Sequence, residues 1–138
     1  AWGAEADDEF TPPFARLTSE QVRQLQDDHG RLRFSHQWFL GFRRALTQIR
    51  RDLDGAPSHR LLNAPEEIAV LFDKPACRRR LADLGLPVPA ELRGRNGEPL
   101  RDYASLAEAM LGARVSRVFL KPAHGSSASG VVALQHLR

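Results

Sequence analysis

Cysteine, methionine and tyrosine each occur once in this 138-residue chain, and no uninterrupted apolar run comes near the length of a membrane helix. A lone Cys77 excludes an intrachain disulfide and any multi-cysteine metal site. It also fits a reducing compartment, so a cytoplasmic location is expected. A spanning helix takes roughly 18 or more consecutive apolar residues, and the acidic first ten residues do not follow the basic-then-apolar order of a secretory signal. Met110 is the only methionine and the chain closes directly after an apolar segment, so a piece of a longer protein is expected. An excess of one charge is missing as well: 20 Lys and Arg stand against 17 Asp and Glu, a net charge of +3. The densest basic runs, Arg43-Arg44, Arg50-Arg51 and Arg78-Arg79-Arg80, fall on the polar sides of predicted helices. Solvated helix surface accounts for them better than a stripe for nucleic acid, which would interleave aromatics with a denser basic face. Neither nucleic acid nor a membrane is expected as a partner.

What is present fits the size of one domain, with a hydrophobic fraction of 42% to supply a core. Residues 1–62 read as a helical lead-in. Residues 1–16 carry Pro12-Pro13 and no convincing period. Thr18 and Gln21 then form a capping box, with Leu17 and Val22 as a hydrophobic staple, and this predicts a helix to about His29, closing at Gly30. From Ser35 to Gly55 the apolar positions Trp38, Phe39, Phe42, Leu46, Ile49 and Leu53 recur at helical steps, and this aromatic stripe is read as a core-facing side.

Asn63-Ala64-Pro65-Glu66 predicts an N-cap followed by proline in the first turn, with a helix through Leu71. Asp73-Lys74-Pro75 predicts a restart capped by Asp73, with Leu81 and Leu84 facing the core before Gly85 ends the helix. Leu86-Pro87-Val88-Pro89 must be extended, because each proline restricts its predecessor. Residues 93–99 form a polar loop with a turn at Asn96-Gly97. Ser105 and Glu108 suggest a second capping box, opening a helix that stops near Gly112. Strands are predicted at 117–121 and 130–134.

Between those strands lies the most informative stretch, Pro122-Ala123-His124-Gly125-Ser126-Ser127-Ala128-Ser129. Small residues let backbone N–H groups approach an anion, serine hydroxyls add donors, and Lys121 at the strand end supplies the opposite charge, which together point to a nucleotide. Gly125 and Gly130 have the glycine spacing of a P-loop, but Gly130 is followed by Val131-Val132-Ala133-Leu134 rather than by lysine and a helix. The loop should therefore join two antiparallel strands and lie over phosphates as a flap.

Phe119-Leu120-Lys121-Pro122 followed by Gly125 to Val131 resembles the lysine strand and glycine-rich flap of the ATP-grasp superfamily, which includes glutathione synthetase and D-alanine-D-alanine ligase. The upstream order of Asn63-Ala64-Pro65-Glu66, Phe72-Asp73-Lys74 and the segment 84–89 is similar to that family too. The resemblance implies an α/β fold in which residues 63–138 are the first, N-terminal subdomain of an ATP-grasp fold. It implies an ATP-dependent carboxylate-amine or carboxylate-thiol ligase acting through an acyl phosphate, with ATP and an unknown carboxylate as its small-molecule partners.

Carried over by position, Lys121 matches the family lysine near the adenine and α-phosphate, and Lys74 matches the earlier lysine that approaches the phosphates. Gly125, Ser126, Ser127, Ser129 and Gly130 match the flap, while His124 reads equally as a phosphate donor or a bystander. Magnesium is expected only with family residues that would follow Arg138, so this chain alone is expected to be inactive. The alternative is a non-catalytic nucleotide-binding or interaction protein that keeps the hairpin. No catalytic residue and no metal ligand is assigned, and Cys77 is read as a core residue.

Overall fold

The computed structural model describes residues 16–26, 32, 34–125 and 128–136. Among the described residues, five α-helices precede a hairpin: α1 (Ser19–Arg23), α2 (Ser35–Asp54), α3 (Pro65–Phe72), α4 (Lys74–Asp83) and α5 (Tyr103–Gly112), then β1 (Arg117–Leu120) and β2 (Val132–Gln135). This is the mixed helix-and-strand class expected from sequence. Its strand component among the described residues is one antiparallel pair.

The capping box that begins α1 is present, with Thr18 and Gln21 exchanging side-chain and backbone bonds. The helix nevertheless ends at Arg23, well short of His29, and residues 27–30 lie outside the described set. Tertiary contact holds the segment instead. The buried amide of Gln37, 2% exposed, accepts from Leu17 N at 2.8 Å and donates to Leu17 O at 2.8 Å. A buried polar side chain is tolerable only with such partners, so this pair fixes Leu17, just ahead of α1, against α2.

α2 spans the length that its periodicity predicts, and its aromatic stripe is in contact with other elements. Phe39, Leu40 and Leu46 are buried, while Trp38 stacks on Phe42 and both rings meet Phe72 of α3. Side chains from both sides of position 62 thus pack together. Ile49 is exposed, so the stripe is covered along only part of its length.

Ala64, not Asn63, is the N-cap of α3, and it makes no side-chain bond; Pro65 takes the first helical position. Glu66 and Glu67 in the first turn favour the helix electrostatically. The following restart is as expected: Asp73 Oδ1 accepts from Ala76 N at 2.9 Å, and Gly85, at φ 73, terminates the chain reversal after α4. The expectation that Leu81 and Leu84 face a core does not hold, because Leu84 is 68% exposed and Leu81 is exposed too. Helical spacing identifies a stripe but not what lies against it.

Asn96 and Gly97 both take positive φ in a short 3-10 turn, as the dipeptide predicts. α5 begins one turn earlier than Ser105 suggests. Asp102 is its cap and Ser105 occupies the third helical position, completing the box from the other side. Leu106 and Met110 are its buried residues.

β1 and β2 pair antiparallel with Val118 opposite Leu134 and Leu120 opposite Val132. Residues 131–135 do not continue as a helix, so the P-loop alternative is excluded. Val118 and Leu134 are half-buried, whereas Phe119, 69% exposed, stands on the outer face.

Candidate functional site

The loop after β1 is seated where α3 gives way to α4. Asp73 is at once the C-cap of α3 and the N-cap of α4, with an extended backbone at φ −104, ψ 95. Breaking a helix at one residue leaves a carbonyl without its partner on one side and an N–H without its partner on the other. The loop answers both. Lys74 N donates to Ala123 O at 2.9 Å, and Gly125 N donates to Phe72 O at 3.1 Å, which makes Asp73 and His124 an isolated antiparallel bridge.

Side chains reinforce this seat. Lys74, half-buried, donates from Nζ to Gly125 O at 2.8 Å across 51 positions of sequence. The His124 ring lies on Phe39 with centroids 4.2 Å apart and planes 18° from parallel, and 5.0 Å from the ring of His36. Its Nε2 is 4.0 Å from Asp73 Oδ2, with the imidazole only 15% exposed. Burial pushes the His124 pKa below the usual imidazole value. The Asp73 carboxylate opposes that shift, and His36, Lys74 and Arg43 add to it.

Of the residues chosen from sequence, Lys74, His124 and Gly125 are brought together. Lys121 sits exposed at the end of β1, and Ser129 and Gly130 are exposed in the turn before β2. Ser126 and Ser127 lie outside the described residues. Gly130, at φ 71, is a close approach: a Cβ there would overlap Leu32 and come within 3.0 Å of Pro122. Gly125, at φ 115, faces open space, with nothing within 4 Å of the position a Cβ would take.

Sequence reasoning missed Phe39, Asp73 and His36 as parts of the loop's seat. Phe39 was legible only as one residue of a core stripe and Asp73 only as a cap. The one available signal was the meeting of two caps at Asp73, which implies backbone groups in need of partners.

A groove of about 470 Å³ opens between α2 and α3, with Phe39, Leu46 and Val70 on its floor and Arg43, Glu66 and Asp73 among its polar lining. It shares Phe39 and Asp73 with the loop's seat but includes none of the residues chosen from sequence. Among the described residues, no three His, Cys, Asp or Glu side chains converge as a metal ion requires. No helix among the described residues is long and apolar enough to cross a membrane. No family model, curated protein or solved structure matches the chain.

Proposed function

We infer that this chain carries the nucleotide-binding part of an ATP-grasp type ligase, with residues 63–138 as the first subdomain of that fold and its hairpin turn as the flap over the phosphates. One observation carries the reading: an antiparallel hairpin holds a turn of small residues, and the distant Lys74 converges on the root of that turn through its bond to Gly125 O. An ammonium group bonded once to a carbonyl keeps two further donors for an oxyanion. The exposed Lys121 supplies a second cation, and the open face of Gly125 leaves room for a ligand to approach backbone.

In this reading Lys74 and Lys121 hold the triphosphate and the turn covers it. The ATP supplies the phosphoryl group that activates a carboxylate as an acyl phosphate. The residues of this chain orient the nucleotide and offset its negative charge. The α4 N-terminus is not a competing phosphate site, because the N–H groups of Lys74, Ala76 and Cys77 are already bonded to Ala123 O, Asp73 Oδ1 and Asp73 O.

Calorimetric titration of ATP into the wild-type chain and two variants tests this. A charge-assisted contact contributes roughly 1.5 to 3 kcal/mol, so Lys121→Ala should weaken ATP about tenfold to a hundredfold at low salt. Lys74→Ala should act in the same direction. Wild-type protein that binds no ATP, or two folded variants that both keep wild-type affinity, would remove the nucleotide site from this loop.

A further inference from the structure

We propose that residues 122–125 form a pH-sensitive latch, seated on α2 and the α3–α4 junction while His124 is neutral and released when His124 takes up a proton. This stands on the packing of the loop and needs no nucleotide.

The seat is built for an uncharged ring. His124 is stacked on Phe39 and mostly removed from water, and transferring an imidazolium there from solvent loses hydration that an apolar ring cannot replace. Charged and titratable groups face it from every side. His36 and Arg43 come from α2, Asp73 lies at the junction, and Lys74 opens α4. Asp73 attracts a proton to His124, but its Nε2 to Oδ2 distance of 4.0 Å is too long for a hydrogen bond, and Lys74 and Arg43 repel the resulting cation. Attraction of a cation to the face of Phe39 works in Asp73's favour. Burial, with His36, Lys74 and Arg43, outweighs the attraction of Asp73 and depresses the His124 pKa.

The sign of the linkage follows. A histidine whose pKa is lower when seated than when free stabilises the seated form fully above the free value of about 6.5. That stabilisation is lost as pH falls from there to the seated pKa, by at most about tenfold in the latch equilibrium per pH unit. The bonds at stake are those from Lys74 N to Ala123 O, from Gly125 N to Phe72 O and from Lys74 Nζ to Gly125 O. All three flank His124 directly, so moving the ring moves their partners.

Two-dimensional NMR of the 138-residue chain, followed from about pH 8 to about pH 5, across the range in which histidine changes charge, tests the latch. The Cε1–H of His124 should titrate with a midpoint below about 6.5, and the amides of Gly125 and Lys74 should shift with that same midpoint. Asp73→Asn, which keeps an oxygen to cap Ala76, should lower the midpoint further by removing the attracting charge. In His124→Gln the Gly125 amide should lose this response. A His124 midpoint at or above 6.5 overturns the proposal. So do Gly125 and Lys74 amides that stay in place while His124 titrates, or a Gly125 response that survives in His124→Gln. Should either variant fail to fold, the wild-type midpoint and its coincidence with the two amides decide the matter alone.

Discussion

Replacing Phe39 by alanine tests how the helical lead-in and the loop are joined. The ring is 3% exposed, lies against His124 and forms part of the floor between α2 and α3. Removing a buried phenyl ring typically costs about 3 to 5 kcal/mol through lost transfer energy and an incompletely collapsed cavity. The neighbouring groove is open, so water can enter the vacated space and the lower half of that range is expected, about 3 to 4 kcal/mol. Native stabilities of about 5 to 15 kcal/mol make this a large fraction of the total. Phe39→Leu keeps most of the apolar volume and should cost on the order of 1 kcal/mol. Urea unfolding of both variants, with slopes compared to wild type, measures the difference. A double-mutant cycle with His124→Ala then isolates the stack, whose coupling should be about 0.5 to 1.5 kcal/mol. A Phe39→Ala loss within about 0.5 kcal/mol, the size of an ordinary surface change, would refute the placement of this ring between the helices and the loop. A zero coupling with His124 would show that the loop is held by its backbone bonds alone.

Two further results are expected. The Asp102 carboxyl is held below its ordinary value of 3.8, chiefly by the backbone N–H of Ser105 and next by its side chain. The stability it confers on α5 is therefore complete above that value and is lost as pH falls through it toward the depressed one; melting temperatures of wild type and Asp102→Ala should differ near neutrality and converge at low pH. Gly85 and Gly130 have nearly the same positive φ, 73 and 71, but a Cβ meets nothing at Gly85 and overlaps Leu32 at Gly130. Gly85→Ala should thus cost the left-handed backbone penalty alone, roughly 1 to 2 kcal/mol. At Gly130 the flexible Leu32 side chain, 56% exposed, can turn aside, so Gly130→Ala should cost more only through its tight 3.0 Å contact with the Pro122 ring; equal losses in denaturant unfolding would mean that the Pro122 ring gives way.

What was legible in the sequence is local. The exchange between Thr18 and Gln21, the restart at Asp73, the stop at Gly85 and the turn at Asn96-Gly97 each depend on residues within a few positions of one another. The hairpin was legible because Val131-Val132-Ala133-Leu134 suits a strand and cannot continue a P-loop. Where local signals compete, the nearer and better-placed acceptor wins. Asp102 precedes Ser105 and captures the helix start, turning Ser105 from a cap into the residue that answers it. The exposed Leu84 and Ile49 were misread because periodicity records which residues share a face and carries no information about a partner for it.

The seat of the loop was not legible, because every contact in it is distant in sequence. Lys74 shows what this does to a functional reading. Its backbone N–H and its ammonium both hold the loop, through Ala123 O and Gly125 O, so the residue first chosen for phosphate contact is also a structural tie. Loss of its side chain removes only the second of these bonds, since the backbone N–H remains in any variant. A fall in ATP affinity in Lys74→Ala therefore combines a missing cation with a loosened loop. Lys121, exposed at the strand end and outside the seat, has no such double role. The two variants thus report different things: Lys121→Ala reads the charge, and the excess effect of Lys74→Ala over it reads how far nucleotide binding depends on a seated loop.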